Sequence, residues 1–119
     1  MSDEFLKIAT DEINDEISQI MTIVDTCHNG TELCQNSGEI QKSTHKIKGL
    51  APMMGKEELG SLAALLDSVF KKIQNVPITN EMFSSLVSAV GEMKNSMIHP
   101  DYNLDEIKQK ISKISLSLT

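Results

Sequence analysis

Arginine and tryptophan are absent from this 119-residue chain, and cysteine occurs only twice. All eleven cationic side chains are therefore lysines, and the formal net charge is -6. A net negative chain without arginine is poorly suited to a phosphate backbone, so we expect no nucleic-acid partner. The two cysteines are too few and too close in sequence for a secreted disulfide framework, which favours reduced thiols in the cytoplasm.

The cysteines could also be ligands of a metal site. Cys27, His28 and Cys34 supply three possible ligands around one polar segment. Their spacing matches no standard zinc pattern, and a fourth ligand is missing. We therefore predict no metal centre.

Long apolar runs are missing as well. No segment reaches the roughly 20 apolar residues that span a bilayer. The first four residues, Met1 to Glu4, lack the basic start and the apolar core of a signal peptide. We therefore expect no membrane insertion and a cytoplasmic localisation.

Aromatic residues make up only 3% of the chain, whereas hydrophobic residues make up 39%, including seven methionines. Such a core must be built from aliphatic side chains and methionine, which is typical of helical bundles. No segment shows the period-two alternation of a half-buried strand. One core is sufficient at this length, so we predict a single all-α domain over residues 1–119.

Five segments carry apolar residues at helical spacing and are separated by turn signals. They run from about Asp3 to Cys27, Asn36 to Gly55, Leu59 to Ile73, Asn80 to Met97 and Leu104 to Leu118. The connections between them are short, which favours antiparallel neighbours. We therefore predict an antiparallel up-down four-helix bundle with a fifth, C-terminal helix packed alongside.

Two polar segments precede the second predicted helix. The segment His28-Asn29-Gly30-Thr31 contains Asn-Gly, a strong turn former, and predicts that the first helix stops there. Asn36 followed by Glu39 predicts a capping box at the N-terminus of the second helix.

The second predicted helix places a histidine, His45, on its polar side. At 100° per residue, His45 lies about 160° from the centre of the apolar stripe that contains Ile47 and Ala51. Lys48, three positions later, brings a cation to the ring, and Gly49, four positions later, brings no side chain. The imidazole is therefore open to another macromolecule, which suits a nucleophile.

An acidic residue on the third predicted helix lies level with His45. If the turn between the two helices is centred on Lys56, His45 and Asp67 are each eleven residues from it. A carboxylate that accepts from one ring nitrogen fixes the tautomer and directs the other nitrogen outward as a nucleophile. Small residues on this edge, among them Ala64, keep the space clear. The alternative is that Asp67 only pairs with Lys71 at i+4.

The chemistry that fits these residues best is phosphoryl transfer. Acyl transfer would need an oxyanion hole, and the sequence offers no Gly-rich loop near His45. If a partner carries ATP, Mg²⁺ or the acceptor aspartate, this chain needs only the imidazole and a cation such as Lys48. We therefore expect no cofactor on the chain itself. Met53, about 120° from the stripe, would give partners an adaptable apolar contact.

The run His45-x-x-Lys48-Gly49, with Gly55 ten positions after the histidine, resembles the histidine-containing phosphotransfer (HPt) domain. The five-helix length and the acidic Asp67 are similar to the N-terminal phosphoacceptor domain of CheA-type chemotaxis histidine kinases. The resemblance implies that His45 accepts a phosphoryl group from a kinase ATP-binding domain or a receiver. It further implies transfer to an aspartate of a response-regulator receiver, with supporting roles for Lys48 and Asp67, and ATP and Mg²⁺ held by those partners.

This chain departs from the family pattern at three positions. Ala64 stands where many chemotaxis phosphoacceptor domains have a second histidine, which predicts a thinner hydrogen-bond network. Asp67 stands where glutamate is usual and is one methylene shorter, which leaves two alternatives, direct contact with the ring or a bridging water. Pro52, inside the second helix, is expected to bend it.

Simpler interpretations remain open for several residues. Close helix packing, rather than partner access, could require Gly49, and we expect Lys42 and Lys46 to be solvated. The competing function is a non-catalytic helical-bundle interaction or scaffold protein in which His45 is incidental. In either case we expect the isolated domain to be a monomer.

Overall fold

The computed structural model describes residues 2–118, and every regular element in that range is helical. The elements are α1 (Asp3–Asp25), α2 (Gly30–Gln35), α3 (Ser37–Met53), α4 (Glu57–Lys72), a 3-10 turn (Ile73–Asn75), α5 (Asn80–Ile98) and α6 (Asp105–Ser117). Helix α3 packs against α1 and α4, α5 packs against α1 and α4, and α6 packs against α4 and α5. The all-α prediction is confirmed. No helix within residues 2–118 is both long and apolar enough to cross a membrane.

The short helix α2 is a correction to the five predicted helices. The Asn29-Gly30 pair begins a helix instead of forming a turn, because the Asn29 side chain accepts a hydrogen bond from the Glu32 backbone N–H at 2.9 Å. The Glu32 carboxylate in turn accepts from the His28 backbone N–H at 2.6 Å. This reciprocal cap stabilises the short helix that leads into α3.

The predicted capping box at Asn36 is wrong. The Asn36 side chain donates to the backbone oxygen of Glu32 at 2.8 Å and makes no cap hydrogen bond to α3. Its amide therefore serves the end of α2, and α3 begins directly afterwards at Ser37.

The core is aliphatic, as the composition predicted. Its fully buried members on α3 are Ile40, Ile47 and Ala51, and they pack with apolar residues of α1, α4, α5 and α6. Each buried isoleucine contributes about 1.5–3 kcal/mol through removal of its side chain from water. This stripe fixes the rotation of α3 and so turns the opposite side of the helix outward.

The turn between α3 and α4 sets the register of the two helices. Gly55 has a φ of +84°, a left-handed conformation that favours glycine. The Gly55 N–H donates to the Pro52 carbonyl at 3.1 Å, and the Lys56 N–H donates to the Ala51 carbonyl at 2.9 Å. These two bonds form a Schellman motif, and the prediction that Gly55 ends the helix is confirmed.

Pro52 lies in the last turn of α3 and packs against α4. A Cβ built on Gly60 would be 2.7 Å from the Pro52 Cγ, so this contact requires glycine. Pro52 has no N–H for the Lys48 carbonyl, but α3 continues through it to Met53. The close contact holds α3 and α4 together one turn beyond the site described below, and the bend expected at Pro52 stays a prediction.

Lys46 is 57% exposed, as expected of a solvated lysine, but it also pairs with a buried carboxylate, which the sequence did not predict. Its Nζ lies 3.3 Å from Oε2 of Glu16 on α1, and the Glu16 side chain is only 5% exposed. A buried carboxylate is unfavourable unless it is paired, so Lys46 compensates for the burial of Glu16. This pair joins α1 to α3 one residue from His45.

We expect Lys46→Met to destabilise the fold by about 1–3 kcal/mol, because it leaves the buried Glu16 carboxylate without its cation. Methionine preserves the unbranched stem and the helix propensity. Lys42→Met is the matched control, since Lys42 and Glu39 form an exposed pair whose loss should cost well under about 1 kcal/mol. Urea unfolding of both variants measures the difference, and equal losses would contradict the role given to Lys46.

Candidate functional site

One face of α3 presents three polar side chains to a single carboxylate on α4. Gln41, His45 and Lys48 follow one another at i, i+4 and i+7, which places them on the same side of the helix. Asp67 faces them from α4, as the register of the hairpin predicted. Lys71, one turn after Asp67 on α4, completes the group. We call these five residues the Asp67 cluster.

His45 lies at the exposed edge of the cluster. Its side chain is 61% exposed, and its Nδ1 is 3.6 Å from Oδ1 of Asp67. This separation is slightly longer than a hydrogen bond and short for a bridging water, so of the two alternatives the geometry favours a direct, loose contact. Because Nδ1 faces the carboxylate, Nε2 lies on the opposite edge of the ring.

Asp67 is buried, with a side chain only 3% exposed. Burial by itself raises the pKa of Asp67, but the hydrogen bond from Gln41, the charges of Lys71 and Lys48 and the contact with His45 outweigh it. The pKa of Asp67 is therefore held below its usual value. The group beside the imidazole is an ionised carboxylate at neutral pH.

Two lysines place positive charge around the same carboxylate. The Nζ atoms of Lys48 and Lys71 lie 3.5 Å and 3.8 Å from Oδ2 of Asp67. Their side chains are 46% and 57% exposed, so each ammonium group can also reach solvent beside the ring. Asp67 thus has both the predicted contact with His45 and the alternative i+4 pairing with Lys71.

Gln41 is the member of the cluster that the sequence reasoning missed. Its Nε2 donates to Oδ1 of Asp67 at 2.6 Å, which is the shortest contact in the group. A signal was present, because Gln41 stands four residues before His45 and therefore on the same face. A glutamine on a helix surface is normally solvated, and nothing in the sequence showed that Asp67 would be buried beside it.

The three predicted access and docking residues lie at different places. Gly49 is exposed, and a Cβ built on it meets nothing within 4 Å, so no packing within residues 2–118 requires glycine there. Met53 is 58% exposed at the end of α3. Ala64 is half-buried on α4 and lines an open depression between α4 and α6, together with Leu65 and Lys108.

The other two histidines have different surroundings. His28 contacts Glu32 at 3.0 Å, but both side chains are exposed, and within the described chain no lysine pairs with Glu32. His99 stacks on the ring of Tyr102. A histidine beside a carboxylate is thus not distinctive by itself; the two lysines distinguish His45. Across residues 2–118 no three His, Cys, Asp or Glu side chains are grouped to hold a metal ion.

We expect Gly49 to serve access to His45 and not stability. Gly49→Ala should raise the free energy of unfolding by about 0.5–1 kcal/mol, since alanine is the better helix former and has free space. Gly91→Ala is the matched control, because Gly91 is also inside a helix with nothing near its Cβ position.

Gly49→Gln should keep the fold but slow modification of His45 by a protein partner. Modification of Gly49→Gln at the wild-type rate would contradict the role in access.

Comparison with known proteins identifies a family whose model matches this chain. The model of the Hpt domain family matches residues 4–112, a range that contains the whole Asp67 cluster. Neither the search of curated proteins nor that of solved structures gave a significant match. Members of the matched family are phosphocarriers that act with kinases and response regulators in phosphorelay signalling. Because the match spans most of its length, this chain belongs to the Hpt domain family.

Proposed function

We propose that His45 is the residue that carries the phosphoryl group. In this proposal it accepts phosphorus from a kinase ATP-binding domain or a phosphorylated receiver and passes it to an aspartate of a response-regulator receiver. The observation that carries the proposal is the geometry of the ring. It is exposed, its Nδ1 is 3.6 Å from a buried carboxylate, and two lysines bind that carboxylate within 4 Å.

Phosphoryl transfer requires few groups from the chain itself. The lone pair of Nε2 attacks the γ-phosphorus of ATP, an N–P bond forms, and the bond from phosphorus to the leaving ADP oxygen breaks. Asp67 lies beside Nδ1, and its negative charge stabilises the positive charge that develops on the ring. Lys48 offsets negative charge on the phosphoryl oxygens. Onward transfer reverses these roles, because the receiver aspartate attacks phosphorus and the N–P bond breaks.

The partners supply what the chain lacks in this scheme. ATP and Mg²⁺ are held by the kinase or the receiver, so the chain acts as a phosphocarrier and not as an enzyme on its own. Gly49 and Met53 lie on the exposed part of α3, where a partner would approach His45. Ala64 would contribute by keeping side-chain bulk on α4 small.

The wider context is also part of the proposal. The acidic residue twenty-two positions after His45 supports a phosphoacceptor domain of the chemotaxis-kinase type. The contacts of α1 and α4 with both α3 and α5 support an up-down four-helix arrangement with α6 alongside. We propose that the chain works as one monomeric domain in the cytoplasm.

The test is phosphorylation in trans. The chain is incubated with labelled ATP and, one at a time, the histidine kinases encoded by the same genome. The expected product gains one phosphoryl group that is acid-labile and base-stable, and peptide mapping should place it on the segment that contains His45. A chain that binds such a kinase but gains no phosphoryl group would favour the competing scaffold function.

A further inference from the structure

We propose that Gln41 is a positioning residue for His45. Its amide fixes the rotation of the Asp67 carboxylate, so that Oδ1 stays toward the imidazole and Oδ2 stays toward the lysines. This inference rests on the proposed function, because it concerns how the same ring is held in its reactive tautomer.

The distances divide the carboxylate into two sides. Oδ1 accepts from Gln41 Nε2 at 2.6 Å and lies 3.6 Å from His45 Nδ1. Oδ2 lies 3.5 Å and 3.8 Å from the two lysines. The glutamine bond is the shortest of these contacts and the only one below 3.5 Å, so it defines the orientation best.

The other contacts of the Asp67 carboxylate do little to fix its rotation. The last torsion of an aspartate is broad and roughly two-fold, so the group rotates easily unless a directional bond fixes it. The two ammonium groups act as flexible point charges and attract whichever oxygen is closer. His45, at 3.6 Å, is outside the usual hydrogen-bond range. The amide of Gln41 is therefore the directional contact of the cluster.

Burial makes this bond difficult to replace. The Asp67 side chain is 3% exposed and Gln41 is half-buried, so bulk water has little access to the carboxylate oxygens. A buried carboxylate that loses a donor turns toward its remaining partners. Without Gln41 those partners are Lys48, Lys71 and the loose contact with His45, and the two ammonium charges turn the carboxylate away from the ring.

Loss of the Gln41 hydrogen bond is expected to change the tautomer of the His45 ring and not only the stability of the fold. With Oδ1 fixed beside Nδ1, the proton stays on Nδ1 and the lone pair stays on Nε2. Without that anchor both tautomers are populated, and a smaller fraction of rings presents Nε2 as a nucleophile. Gln41 itself need not touch the phosphoryl group.

The experiment compares Gln41→Met with Gln19→Met, a control on the exposed side of α1. Methionine matches glutamine in length and helix propensity. Long-range ¹H–¹⁵N spectra of the unphosphorylated chain report which ring nitrogen of His45 carries the proton. Wild type and Gln19→Met should show Nδ1–H, whereas Gln41→Met should show averaged shifts at both nitrogens. Transfer from the kinase should fall about 3- to 10-fold in Gln41→Met, with an unchanged KM for the kinase.

A second variant, Gln41→Asn, keeps an amide but is one methylene too short, so it should reproduce the averaged shifts if Gln41→Met does not fold. Wild-type shifts in either folded variant overturn the proposal, as does an equal effect in Gln19→Met. The spectra need no phosphorylation. If the tautomer depends on Gln41 but His45 is never phosphorylated, the proposed function alone is refuted. If His45 is phosphorylated but its tautomer does not depend on Gln41, only the role of Gln41 is refuted.

Discussion

Replacing His45 with glutamine should reduce phosphorylation by the kinase to background while leaving the fold intact. Glutamine is a good helix former, and the His45 side chain is 61% exposed, so little packing is lost. The loss should be complete because, within residues 2–118, no other histidine is paired with a carboxylate that also binds two lysines. Labelled ATP, a kinase that modifies the wild-type chain and an acid-lability assay measure the effect.

The chain provides its own controls for this result, since it has only three histidines. His28→Gln and His99→Gln should be phosphorylated as fast as wild type. Label that persists in His45→Gln would refute the assignment. Loss of label in His28→Gln or His99→Gln would move the site to another part of the molecule.

Asp67→Asn should have the second largest effect, because it removes the charge to which the other four members of the cluster are bound. The variant leaves two lysines facing each other around a neutral amide, and we expect a loss of about 1–3 kcal/mol in the free energy of unfolding. The ring also loses the acceptor that orients it, so transfer should fall about 10- to 100-fold. Urea unfolding and the transfer assay measure these two effects separately.

The stability effect of Asp67→Asn should depend on pH. The pKa of Asp67 is lowered in the folded chain, so its ionised form adds stability at pH values above the unfolded pKa of about 3.9. That contribution is lost as the pH falls through the folded value. The gap between wild type and Asp67→Asn should therefore narrow on acidification below about pH 4. Asp11→Asn, in an exposed pair, is the control, and a gap that stays constant down to pH 2 would contradict the linkage.

The long helices could be predicted from sequence because each repeats its apolar residues over several turns. Helix α2 could not, since six residues are too short to show a period. Its N-cap, Asn29, is followed by glycine, and that pair predicts a turn as readily as a helix start. The side-chain hydrogen bond to Glu32 decides between the two, and it is visible only in three dimensions.

The part of the site that depends only on the register of the α3–α4 hairpin could be predicted from sequence. Counting outward from the α3–α4 turn placed Asp67 level with His45, and the Schellman motif at Gly55 is the reason that this count holds. The roles of Gln41 and Lys46 were not predictable. The first depends on how deeply Asp67 is buried, and the second depends on the rotation of α1 against α3, which no local pattern sets.

The most direct test of the account is a ³¹P–¹⁵N correlation spectrum of the chain after phosphorylation by its kinase. The geometry of the ring predicts one phosphorus bonded to Nε2 of His45, with Nδ1 protonated beside Asp67. Phosphorus on Nδ1 of His45, on His28 or His99, or on an oxygen would contradict the account.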